Sequence, residues 1–151
     1  MNLEAWTDGS GTTGDRPAGI GVVVLRDAEP IVEASAAIGL GTNNIAEVRA
    51  IGRALALVFA VTRTRDVPVT IRSDSEFALG SVRPGSSWRV TSNPALAALV
   101  EAVRREASRW PHLRLEHVPG HAGHQWNERA DVLAGRARKA AVARLAMAGA
   151  A

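Results

Sequence analysis

The chain contains no cysteine, which excludes disulfides, zinc–thiolate centres and thiol nucleophiles. It has one lysine, Lys139, among 18 basic residues. Its cationic contacts therefore fall to arginine, whose planar fork binds phosphate or carboxylate through two hydrogen bonds. Long apolar runs are also missing. ALALVFAV, one of the longest, falls well short of the roughly 20 residues a membrane-crossing helix needs. The opening MNLEAWTDG shows no basic segment followed by an apolar one, so no secretory leader is expected there. Together with the lack of cysteine, this makes a reducing, cytoplasmic setting the expectation.

What remains is an ordinary globular composition of 151 residues, 46% apolar and 22% charged, enough for one domain with a real core. The net charge of +3 is compatible with a polyanionic partner, although a general enrichment in Arg and Ala would give the same balance.

Hydrophobic patterning places strands over residues 3–8, 20–27, 31–40, 67–73 and 113–119. The Gly/Thr/Pro-rich stretch 11–19 and the segment from Asp27 to Pro30 read as turns, so the first three strands should form an antiparallel meander. Helices are expected over 44–61, 75–82, 94–110 and from Trp126 onward. Thr42, Asn43 and Asn44 offer caps for the first, and Pro94 fits the first turn of the third. Residues 83–94 read as a polar loop, and 145–151 as a frayed tail after a domain spanning 1–144. The order β-β-β-α-β-α-α-β-α predicts an α/β fold: a mixed five-stranded sheet with helices on its faces and a parallel, right-handed crossover between its last two strands.

Four carboxylates sit where a solubilising role explains them poorly. Asp8 ends the first apolar run, Glu47 lies in the first turn of the first long helix, Asp74 ends VPVTIRSD, and Asp131 follows GHAGHQWNERA. Acids converging from strand ends and helices repel one another unless a cation holds them, so the economical reading is a divalent-metal site. Two such ions about 4 Å apart suit in-line hydrolysis of a phosphodiester. Taken singly, Asp8 and Asp74 also fit turn aspartates, and Glu47 a carboxylate satisfying a helix dipole. His121, flanked by glycine, suits proton transfer or a structural role, and His124 suits bracing of the loop. Asn127 is one helical turn before Asp131 and should share its face.

The motifs TDGS at 7–10, TNNIAE at 42–47, SDSE at 73–76 and GHAGHQWNERAD at 120–131 together resemble type 1 ribonuclease H over about residues 3–140. The resemblance implies a ribonuclease H-like fold and hydrolysis of the RNA strand of RNA–DNA hybrids to 5′-phosphate and 3′-hydroxyl ends. It implies a metal and catalytic set of Asp8, Glu47, Asp74 and Asp131, two Mg²⁺ ions with Mn²⁺ as an alternative, and a mobile catalytic histidine at His121. It also places Thr42 in a DNA phosphate pocket and Asn43 and Asn44 at the minor groove, where 2′-hydroxyls separate RNA from DNA. Glu76 stands where the family usually has Gln, next to a 2′-hydroxyl. Trp88 is either an aromatic against the DNA sugar backbone or a core or lid Trp. No separate hybrid-binding domain and no obligatory protein partner are implied, and a monomer is expected.

The chain departs from the family pattern at Gly14, where Asn is frequent, and lacks a basic protrusion, for which only Arg83 and Arg89 stand in. The competing readings are a related metal nuclease of the same fold acting on another nucleic acid, or a binding module without catalysis. The histidine loop disfavours the first, and retention of all four acids disfavours the second.

Overall fold

The computed structural model describes residues 1–90 and 92–150. Thr91 in the polar loop and Ala151 at the end of the expected tail lie outside the described residues. Strands β1 (Leu3–Ser10), β2 (Pro17–Arg26) and β3 (Glu29–Leu40) form the expected meander. Asp27 and Ala28 turn its second corner with φ of 50° and 70°, a backbone that matches the twist of the flanking strands. Helix α1 (Asn43–Thr62) leads to β4 (Val69–Ser73), and α2 (Glu76–Val82) and α3 (Pro94–Ala107) lead to β5 (Leu113–His117). The sheet order is β3-β2-β1-β4-β5, with β1, β4 and β5 mutually parallel. Helix α4 (Gln125–Ala150) closes the chain.

Local chemistry explains the helix starts. The Thr42 hydroxyl accepts from the Ile45 N–H at 3.2 Å, Ser75 caps α2 through Ala78, and Asn93 caps α3 through Leu96 with Pro94 in the first turn. Two expectations need correction. Glu47 is the fifth residue of α1 and lies beyond its first turn, because the helix begins at Asn43; it is buried and is not a capping acid. The segment after Arg144, expected to fray, continues α4 through Ala150. Its Ala, Leu and Met residues are strong helix formers, and no Gly interrupts them before Gly149.

The sheet separates two apolar layers. Leu3, Ala5, Val22, Val24 and Ile71 face α1, α2 and α3, joined by Ile51, Leu55, Val58, Val100 and Val103. Trp6, Val23, Leu25 and Leu133 form the α4 side. This alternation follows the period of two along each strand, and β2, covered on both faces, accordingly reads as a nearly unbroken apolar run.

Glycine sets how closely α4 approaches. A Cβ at Gly21 would lie 2.1 Å from the Ala130 carbonyl oxygen, and one at Gly19 would lie 2.4 Å from that of Ala134. The helix backbone therefore lies directly on β2. Gly21 pairs with Asp8 across the β1–β2 ladder, so this contact fixes α4 beside the end of β1. Gly21→Ala is expected to lower stability by about 3 kcal/mol, at the upper end of overpacking costs. Chemical denaturation checks this, and wild-type stability would show that α4 does not sit this close.

Candidate active site

Strand β1 carries Asp8, and the following residue, Gly9, leaves room for α1. A Cβ at Gly9 would fall 2.3 Å from the Glu47 backbone nitrogen and 2.4 Å from the Ala46 carbonyl carbon. The same device recurs opposite: a Cβ at Gly120 would lie 2.8 Å from Asp74 Oδ2. Asp74 follows the last residue of β4, where the buried Ser73 hydroxyl accepts from the Ser75 N–H at 3.0 Å and tightens the turn. Glu47 thus arrives from the α1 layer, Asp131 from the α4 layer, and Asp8 and Asp74 from adjacent parallel strands.

The result is a polar cavity of about 370 Å³ into which all four acids open, together with Ser10, Asn43 and His121. Carboxylate oxygens of Asp8, Glu47 and Asp74 lie within 4.8 Å of one another. Asp8 and Glu47 are 5% and 4% exposed, and Asp131 sits at the open rim. Asp131 and Glu47 crowd Asp8, acid against acid.

Burial, then the hydrogen bond to Asp131 and the charges of Asp74 and Asp131, push the Asp8 carboxyl up to about 8. Burial, then the charges of Asp8 and Asp74, push Glu47 up to about 9. Glu47 Oε2 is buried with no hydrogen-bond partner, a cost that a native fold rarely leaves uncompensated. A hard divalent cation answers both observations, since it supplies the missing partner and cancels the repulsion. Asp8, Glu47 and Asp74 are close enough together to hold one, and Asp131 opens on the same cavity.

The histidines separate. His121 lines the cavity and is exposed, on a left-handed backbone with φ of 54°. His124 stacks on Trp6 with ring centroids 4.2 Å apart, and its carbonyl accepts from the Glu128 N–H at the start of α4. It braces the loop and does not line the cavity.

Among the groove candidates, Asn43 lines the cavity and its Oδ1 accepts from the Gly11 N–H at 3.2 Å. Thr42 caps α1, Asn44 is exposed beside it, and Glu76 is exposed in the first turn of α2. Asn127 is buried and does not line the cavity. Trp88 is neither core nor free. Its ring lies over Gly80, where a Cβ would be 2.6 Å away, and near Phe77, while it stays 48% exposed. Arg83 donates to the Leu115 carbonyl at the β5 edge, and Arg89 donates to Ser86 and Trp88 carbonyls within its own loop. Neither is brought to the acids. Two groups that sequence patterning does not single out prove structural to the site. Arg104 ties the Trp88 loop to α2 through the Ser81 and Trp88 carbonyls, and Arg138 donates to Ser10 at the cavity wall.

The comparisons with known proteins agree with this geometry. The family model for RNase H matches residues 1–139. The chain belongs to the ribonuclease H family. It is 32% identical to the ribonuclease H of Pectobacterium atrosepticum, over 91% of this chain and 90% of that one. LC11-RNase H1, isolated from compost by a metagenomic approach, superposes with a TM-score of 0.78 at 31% identity, covering 93% of this chain and 97% of its own. The same enzyme in complex with an RNA/DNA hybrid superposes at 0.73 with 30% identity, covering 92% and 98%. The family is divalent-metal dependent, as the fit of the acids to a cation requires.

The raised carboxyls dictate a pH response without metal. Folded Asp8 and Glu47 keep protons that the unfolded chain releases from about pH 4. Their contribution is therefore fully present below that pH and lost as pH rises through about 8 for Asp8 and about 9 for Glu47. In EDTA the Tm should fall from about pH 5 to about pH 9, and saturating Mg²⁺ should remove most of that fall. A metal-free Tm that is flat or rises over this range would contradict the packing of the acids.

Proposed function

We propose that this protein is an endonuclease that hydrolyses the RNA strand of RNA–DNA hybrids, with Mg²⁺ as its working ion and Mn²⁺ as a substitute. The observation that carries the reading is the convergence of Asp8, Glu47 and Asp74 within 4.8 Å, with Asp131 opening on the same cavity, in a chain of the ribonuclease H family. When bound, divalent ions activate a water and stabilise the leaving oxygen of a phosphodiester. Asp8, crowded by both Glu47 and Asp131, serves both sides of the site. His121 at the rim moves a proton at a ring nitrogen, the task to which histidine is suited near neutral pH.

The substrate enters over the N-terminus of α1, where Thr42, Asn43 and Asn44 meet the hybrid's minor groove and the 2′-hydroxyl distinguishes the RNA strand. Glu76 accepts from a 2′-hydroxyl less favourably than an amide would, because its charge faces phosphate. Trp88, held on α2 with half its surface open, offers a stacking face to the deoxyribose backbone. Residues 1–144 constitute the catalytic unit, which acts as a monomer in the cytoplasm. No helix of the described residues is long and apolar enough to cross a membrane.

The decisive experiment is cleavage of end-labelled RNA–DNA, RNA–RNA, DNA–DNA and single-stranded RNA, with and without Mg²⁺. Internal cuts confined to the RNA strand of the hybrid, leaving 5′-phosphate and 3′-hydroxyl ends and dependent on the ion, are expected. Cleavage of the DNA strand or a cyclic phosphate end would assign the protein to different chemistry.

A further inference from the structure

Beyond Asp131 the cavity continues along α4 as a second trough of about 440 Å³, walled by Ser10, Asp131, Arg136, Arg138 and Lys139. The two hollows share Ser10 and Asp131, so the trough is continuous with the acids. Its charge is of the opposite sign. Among the described residues, none of Arg136, Arg138 and Lys139 has a carboxylate within ion-pair distance, in contrast to Arg129 on the same helix, which Glu33 neutralises at 2.8 Å.

The geometry is that of a built surface. Asp131, Gly135, Arg138 and Lys139 follow one another at helical spacing along one side of α4. Gly135 has open space where a Cβ would stand, so the floor between the acid and the two cations is clear. Arg138 is half-buried, and its Nε donates to Ser10 Oγ at 2.8 Å. That bond fixes the guanidinium while leaving its two NH₂ groups without a protein acceptor among the described residues. A preset guanidinium with free donors is suited to phosphate.

We propose that this trough grips the backbone of the cleaved strand, with Arg138 and Lys139 taking phosphates on one side of the scissile bond and Arg136 adding long-range attraction. The proposal rests on the hybrid-nuclease reading and deepens it. Seven residues at 1.5 Å place Arg138 roughly 10 Å from Asp131 along the helix axis. At one strand phosphate per 3.4 Å of duplex axis, that is about three nucleotides from the reacting phosphate. The trough supplies on α4 the electrostatic hold that Arg83 and Arg89, engaged with backbone carbonyls, do not supply.

The test is the salt dependence of binding to a fluorescent RNA–DNA hybrid in EDTA, paired with cleavage kinetics in Mg²⁺. R138A–K139A should reduce the slope of log affinity against log salt by about 2, one for each phosphate that is no longer neutralised. It should raise KM and leave kcat near wild type. R138K should retain the slope, and R105A, exposed on α3, should leave both readouts unchanged. Arg136 and Lys139 are exposed and make no side-chain hydrogen bond among the described residues, so a reduced slope in R136A–K139A supports the trough even if R138A disturbs Ser10. A neutral methylphosphonate about three nucleotides from the cleaved bond should weaken wild type and leave R138A–K139A unaffected. A wild-type slope in both double variants, with cleavage intact, overturns the proposal. A slope that falls as expected in a protein that cuts no hybrid would instead defeat the nuclease reading and leave the phosphate grip standing.

Discussion

Two carboxylates buried to within 5% of full exclusion, with oxygens inside 4.8 Å of each other and of a third acid, cannot all ionise at low cost. Without a cation the strain is relieved by keeping protons on Asp8 and Glu47, which is why both are held far above the usual carboxylate range. A bound divalent ion relieves the same strain by a different route and turns a destabilised cluster into a binding site. The rest of the fold can be read as the means of holding these charges together against their repulsion.

That holding is done by backbone, at glycines. Gly9 lets α1 bring Glu47 to the end of β1, Gly120 lets the histidine loop press on Asp74, and Gly21 seats α4 so that Asp131 reaches the rim. Each contact joins a different pair of elements, so the site lies where both helical layers meet the central strand. The apolar clusters on either face make the arrangement stiff. His124 stacked on Trp6 braces the loop that presents His121, which separates a bracing histidine from one that lines the cavity only three positions away.

Much of this was legible in the sequence because it depends on local patterns. Apolar alternation and Gly/Pro punctuation marked the strands of the meander, while Thr42 and Pro94 marked helix starts that the structure keeps. The acids stood out by their placement, Asp8 and Asp74 at the ends of apolar runs, Glu47 in the first long helix and Asp131 after the histidine-rich turn. Features set by tertiary packing were less visible. Arg83 and Arg89 looked like substrate cations, yet their guanidinium groups are taken by carbonyls on β5 and in their own loop, and sequence carries no record of that. Arg136, Arg138 and Lys139 belong to no motif in the sequence, although counting in helical steps from Asp131 places Arg138 beside the site. The half-exposed seat of Trp88 depends on Gly80, eight residues away, which in isolation is only a poor helix former.

The central claim is that Asp8 is a charge the fold tolerates only for the sake of a cation. The direct measurement is the Asp8→Asn variant, compared with wild type by thermal melting in EDTA and in Mg²⁺ and by hybrid cleavage at saturating Mg²⁺. The account predicts a Tm in EDTA at neutral pH equal to or above wild type, a much smaller stabilisation by Mg²⁺ than wild type shows, and loss of cleavage. A variant that is destabilised in EDTA, gains the full wild-type Mg²⁺ stabilisation and cuts hybrid at near-normal turnover would contradict it.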